Sequence, residues 1–159
     1  MNILGLDLHN YDSNFFYYLD TKKNLIMDGI FTKIIYTHSH FTMNGLTFSF
    51  PLQYTFYETT SEKSFYMHFD PNLHSNRALI DFVLKLETQI MLHYASFMNK
   101  KKSSNVSLYK QLQKGKIKIN GSTTFLQSHS QCVLKISGVW ENDNEYGVTY
   151  KWLLAKPLL

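Results

Sequence analysis

The clearest pattern in the chain follows Asn44-Gly45, a tight-turn dipeptide. Leu46, Phe48, Phe50, Leu52, Tyr54 and Phe56 alternate with Thr47, Ser49, Pro51, Gln53, Thr55 and Tyr57. Period two over this length predicts a half-buried strand with its first set inward and its second set outward. Pro51 makes a fully paired central position unfavourable near it. Thr59–Lys63 reads as a turn, after which Ser64–Phe69 runs back. Phe65, Met67 and Phe69 then go inward, and Tyr66 and His68 outward. Before this unit, Phe15–Met27 reads as a hairpin around a polar turn at Asp20–Asn24, and Ile30–His38 as a third β-rich run.

The period changes after Asp70–Asn76. From Arg77 to about Lys100, Leu79/Ile80, Val83/Leu84, Leu86/Glu87, Ile90/Met91, Tyr94 and Phe97/Met98 recur every three to four residues, which predicts one long amphipathic helix. Ser75 or Asn76 is suited to cap its start. The lysines of Lys100–Asn105 suit the negative end of the helix dipole. Val106–Gln113 suggests a short second helix. Gly115–Asn120 predicts a strand with Ile117 and Ile119 inside and Lys116 and Lys118 outside.

"VLKISGVWENDNEYGVTYKWLL", Val133–Leu154, closes the chain as a hairpin around the polar, acidic turn Asn142–Tyr146. Simple alternation places Cys132, Leu134, Ile136, Gly138 and Trp140 on one face, with Val133, Lys135, Ser137 and Val139 on the other. On the second strand Val148, Tyr150, Trp152 and Leu154 share a face, opposite Thr149, Lys151 and Leu153. Strands, one long helix and more strands make a mainly β, α+β domain. The expected architecture is an OB-fold-like barrel with extra strands and the helix inserted between strands. A generic α+β sheet with a helix on one face fits nearly as well. Residues 1–159 read as a single domain, without repeats or low-complexity linkers.

Composition adds three points. Phe occurs 12 times and Tyr 11 times, an aromatic load that favours β-structure. Cys132 is the single cysteine, so no intrachain disulfide or four-cysteine zinc site can form, which suits an intracellular, cytoplasmic compartment. No apolar run is long enough to span a membrane, and Met1 to Asp12 has no Lys or Arg of the kind a signal peptide carries.

Charge is divided along the chain. Residues 1–74 hold four Lys against seven Asp and Glu, whereas residues 75–159 hold twelve Lys and Arg against five. Seven lysines and no acid lie between Lys100 and Lys118. The asymmetry points to a polyanionic partner, against the simpler reading of a solvated lysine-rich surface.

Candidate chemistry follows from the outward positions. Lys116, Lys118, Lys135 and Lys151 all point away from the predicted core, with Lys114 close by in sequence. Lys135 and Lys151 share a face in any plausible register of the final hairpin. Like charges so placed repel, and a phosphate between them removes the repulsion; the alternative is that each reaches water separately. Exposed aromatic rings beside lysines suit single-stranded nucleic acid, in which bases stack on rings and phosphates follow the lysines. Tyr57 and Tyr66 are outward by alternation, and Tyr146 lies in the turn. Trp140, Tyr150 and Trp152 are expected inside. His38 and His40 flank Ser39 without further ligands at metal-site spacing. No phosphate loop, nucleophile elbow or HExxH motif occurs. No cofactor, metal or enzymatic activity is expected.

"FTMNGLTFSFPL", the helix with "LKLE", and "LKISGVWENDNEYGVTYKW" resemble single-stranded-DNA-binding replication proteins of large cytoplasmic DNA viruses and yeast linear plasmids. The resemblance covers the last third of the chain and one earlier strand. It implies an OB-fold protein that coats displaced single strands during replication. The matching positions are Lys135, Trp140, Tyr146, Tyr150, Lys151 and Trp152. The partners expected overall are single-stranded DNA (RNA being the alternative), further copies of the chain and replication proteins, with no membrane. The chain departs from coating proteins that end in an acidic tail, because Leu153–Leu159 carries no acid. The competing reading is a structural or assembly subunit that uses the aromatic hairpin as a protein interface.

Overall fold

The computed structural model describes residues 5–98, 101–123 and 131–155. Among the described residues, ten strands and two α-helices follow two short 3-10 turns, Leu8–Asn10 and Ser13–Phe15. The strands are β1 (Phe16–Lys23), β2 (Ile30–His38), β3 (Phe41–Asn44), β4 (Leu46–Phe50), β5 (Phe56–Ser61), β6 (Ser64–His68), β7 (Ser103–Asn105), β8 (Lys116–Asn120), β9 (Gln131–Glu141) and β10 (Glu145–Ala155). The helices are α1 (His74–Met98) and α2 (Ser107–Gln113). Among the described residues no helix is long and apolar enough to cross a membrane.

The main sheet runs β1-β2-β9-β10-β8-β6-β5. Its neighbours are antiparallel except β10–β8, and β7 also joins β10 in parallel. Two strands share the other edge of β9. β2 pairs with Gly138–Glu141 and β4 with Cys132–Ile136. The mainly β class with one long helix is therefore observed. Among the described residues the sheet is mixed and does not close, because β1 and β5 end the path unpaired with each other; the expected OB-fold-like barrel is not confirmed.

Gly45 sits at φ +89 between β3 and β4, and a Cβ there would meet the Ile136 carbonyl oxygen at 2.5 Å. The Asn44-Gly45 step is thus a corner that passes the chain from β2 to β9, because β3 and β4 pair with different strands. The first hairpin also turns later than expected. β1 continues through Asp20–Lys23, and the turn is closed by the Asn24 N–H donating to the Gly29 carbonyl at 2.9 Å.

The long strand expected over Leu46–Tyr57 is broken. β4 ends at Phe50, and Gln53 is held instead by the Asn76 side chain. The Gln53 N–H donates to Asn76 Oδ1 at 2.9 Å, and Asn76 Nδ2 donates to the Gln53 carbonyl at 2.8 Å. Asn76 is therefore a buried clamp inside α1, which begins before Arg77.

Both helices lie on one side of the sheet. Val83, Leu86, Ile90 and Tyr94 of α1 and Leu108 and Leu112 of α2 join Ile34, Phe48, Phe65, Ile117, Leu134 and Trp152 in one buried core. Buried polar groups tie the layers together. Glu87 accepts the Leu108 N–H at 3.1 Å and the Tyr109 N–H at 2.8 Å, which satisfies the first turn of α2. The Tyr94 hydroxyl donates to Glu141 Oε2 at 2.7 Å, and Lys102 Nζ donates to Glu141 Oε1 at 2.8 Å.

Candidate nucleic-acid interface

The side of the sheet away from the helices can be read row by row from the strand register, since paired residues point to the same side. One row is Lys22–Phe31–Trp140–Gly147, across β1, β2, β9 and β10. The next is Lys33–Gly138–Thr149. Then comes Thr47–Lys135–Lys151, with the two lysines directly opposed. Ser49–Val133–Leu153–Asn120–Ser64 crosses five strands. Lys118–Tyr66–Glu58 and Lys116–His68–Phe56 complete the face on β8, β6 and β5; because β8 runs parallel to β10 with Asn120 beside Leu153, Lys118 is level with the Lys135–Lys151 row and Lys116 with the Gly138–Thr149 row.

This register corrects the expected position of Trp140. A bulge leaves Ser137 unpaired, because Thr149 faces Gly138 and Tyr150 faces Ile136. The extra residue reverses the alternation. Val139 and Glu141 turn into the core, and Gly138 and Trp140 turn out to the lysine face. Two aromatic rings are laid over glycines there. A Cβ on Gly138 would meet the Phe31 ring at 2.5 Å, and one on Gly147 would meet the Trp140 ring at 2.8 Å. Each ring thus shields backbone that lacks a side chain of its own.

Lys135 is half-buried, and Lys118 and Lys151 are exposed. None of the three forms an ion pair among the described residues. Their neighbours on the face are hydroxyls, apolar groups and other lysines. Glu145 and Glu58 stand at its margins, and both are occupied. Glu145 Oε2 accepts Asn105 Nδ2 at 3.0 Å. Glu58 Oε2 lies 3.2 Å from His68 Nε2 and 3.3 Å from Lys116 Nζ. The His68 hydrogen bond first, and then Lys116, hold the Glu58 carboxyl below its usual range. Lys116 Nζ also sits 4.1 Å from the centre of the Tyr66 ring, a cation–π contact. Phe56 stacks on His68 at 4.2 Å with the planes 12° apart.

The remaining expected residues divide. Tyr66 is on the lysine face, partly exposed. Tyr57 is exposed but belongs to the opposite side, paired with Met67 and edge-on to Phe65. The break at residues 51–55 causes this reversal. Phe56, expected inside, takes the outer position and is 56% exposed. Tyr146 and Trp152 are buried in the core and have no surface for a ligand. Tyr146 packs beside Tyr94, and the Trp152 indole N–H donates to Gln111 Oε1 at 3.0 Å. Tyr150 packs against the core. Lys114 is at the C-cap of α2, off the sheet rows. His38 and His40 lie 5.5 Å apart with His38 packed on Phe41 and Phe15, and no metal-binding cluster occurs among the described residues.

Sequence reading missed Phe31, Lys33, Lys22 and Phe56 as members of this face. Phe31 and Lys33 alternate with Thr32 and Ile34 and so had a period-two signal. Phe56 had none, because its side depends on where the chain breaks. The arrangement defines an open, basic and aromatic sheet face backed by helices. Comparison of the chain with protein-family models, curated proteins and solved structures finds no match.

Proposed function

We propose that this face binds single-stranded nucleic acid without regard to sequence, and that the protein coats and protects single-stranded DNA during replication. The observation that carries the reading is the direct opposition of Lys135 and Lys151, without acidic partners among the described residues, between the Trp140–Phe31 rings and the Tyr66 and Phe56 rings. Phosphates offset the repulsion between the lysines, while bases stack on the rings. The resemblance to single-stranded-DNA-binding proteins of large cytoplasmic DNA viruses and yeast linear plasmids points the same way. An OB-type barrel is not required, since the open sheet supplies the same groove chemistry.

β2, β9, β10, β8, β6 and β5 are successive neighbours. At about 4.8 Å per strand the face is roughly 24 Å across. Single-strand sites that stack bases on protein rings hold roughly 4–16 nucleotides. The test is a titration of labelled oligonucleotides of graded length, single- and double-stranded, at two salt concentrations. Affinity for single strands is expected to fall steeply with salt and to rise with length up to a footprint within that range. An absence of binding, or binding insensitive to salt, overturns the proposal. A preference for RNA of equal length changes the ligand and leaves the mechanism.

A further inference from the structure

The β1–β2 turn carries an apolar knob. Leu25 is 96% exposed, Ile26 93% and Met27 42%. The turn beneath them is built rather than slack. Asn24 Oδ1 accepts the Ile26 N–H at 3.0 Å, and Gly29, at φ +124, packs directly on the Glu141 carbonyl. Three consecutive apolar side chains held in water in this way are an unpartnered contact surface.

A groove of matching chemistry lies at the other end of β1, between its first residues and α1. It has a volume of about 820 Å³, and Tyr11, Phe16, Leu84, Ile90 and Leu92 line it with Lys85 at its polar side. Removing one leucine from a core leaves a cavity on the order of 150 Å³, so the groove has room for Leu25, Ile26 and Met27 together. Asp28 follows the knob in sequence, and neither it nor Lys85 has an ion-pair partner among the described residues. Knob and groove are separated by the length of β1, roughly 25 Å, so they cannot meet within one chain.

We infer that the knob of one copy seats in the groove of the next. The contact is head-to-tail, which generates an open filament or a ring rather than a closed two-fold dimer. The groove is on the helix side, so seating a neighbour leaves the lysine face uncovered. The inference needs no nucleic acid and stands whether or not that face binds one.

Sedimentation velocity over a range of protein concentrations tests it. The wild-type chain is expected to grow beyond two copies of its 18.7 kDa mass. The knob variant Leu25→Asp/Ile26→Asp and the groove variant Leu92→Asp, all at exposed positions, are each expected to weaken association by on the order of a hundredfold. Mixed together, they are expected to form a dimer that grows no further, because each retains one intact surface. The charge swap Asp28→Lys with Lys85→Glu should associate better than Lys85→Glu alone. A wild-type chain that stays monomeric at every concentration overturns the inference. So does association unaffected by the knob variant, or a mixture that remains monomeric while circular dichroism shows both variants folded.

Discussion

Lys135 and Lys151 face each other across the β9–β10 hairpin on the side of the sheet that the helices leave open. Like charges in that relation oppose folding and favour an anion. In the absence of ligand, Lys135→Met is expected to raise stability by about 0.2–1 kcal/mol. Lys135→Glu/Lys151→Glu is expected to keep the fold while sharply reducing oligonucleotide affinity and flattening its salt dependence. Thermal melting and anisotropy titration check the two halves. Unchanged affinity in the double variant would mean that the hairpin is purely structural.

Trp140 and Trp152 lie on opposite sides of the sheet and should separate binding from stability. Trp152 is 1% exposed, and Trp152→Ala is expected to cost about 3–5 kcal/mol of stability. Trp140→Ala should cost less stability and remove about 1–3 kcal/mol of oligonucleotide binding. Urea denaturation and titration of the two variants should give opposite rankings.

Gly138 is fixed by what lies over it. A Cβ there would meet the Phe31 ring at 2.5 Å and press on the Thr32 carbonyl. Gly138→Val is therefore expected to destabilise by about 1–3 kcal/mol through overpacking and to displace Phe31. Urea denaturation of the variant gives the size of the effect. Replacing Phe31 by Ala in the same chain should recover part of the loss, although the backbone contact remains.

Glu87 gives the protein a pH dependence of definite sign. Burial raises its carboxyl above the ordinary value, outweighing the Tyr109 and Leu108 N–H bonds and the nearby Lys110 charge that favour ionisation. The folded state therefore holds the proton more tightly than the unfolded chain does. The contribution of Glu87 is fully present below the unfolded pKa, about 4.3, and is lost as pH rises through the raised folded value. Glu87→Gln should remove that slope. It also turns one acceptor into a donor facing a helix N–H, at a cost of about 1–3 kcal/mol. Denaturation midpoints of both chains across pH 4–8 test the sign.

Cys132 is buried, and burial pushes its thiol up to about 12. Thiolate, the reactive form, is scarce in the native protein at neutral pH. Alkylation is expected to be slow in the folded chain and to accelerate in step with unfolding by urea. Fast labelling without denaturant would show that this part of β9 opens readily.

Much of the fold was legible in the hydrophobic pattern. The 3.6-residue period located α1, and the period of two placed Ile117 and Ile119 inward with Lys116 and Lys118 outward. It also set Val148 to Leu154 of β10, including Lys151 and Trp152, on their observed sides, whereas Tyr146, expected in the turn, is buried within β10. These elements are regular, and a regular backbone turns sequence spacing directly into direction. Errors arose where the backbone was irregular. The bulge at Ser137 moved Trp140 from the expected core to the lysine face. The break after Phe50 exchanged the sides of Phe56 and Tyr57. One inserted or unpaired residue reverses all that follow it, and no residue type announces such a step in advance.

The sequence by itself determined that this chain is mainly β with one long helix, that its positive charge is gathered in the second half, and that Lys135 and Lys151 share a face. Those properties follow from local periodicity and composition. Only the tertiary structure decided which face the helices cover, that the sheet stays open, and that Phe31, Lys33, Trp140, Tyr66 and Phe56 join the lysines on one surface. Strands far apart in the chain become neighbours through long-range pairing, and their register is chosen by the packing of the whole core.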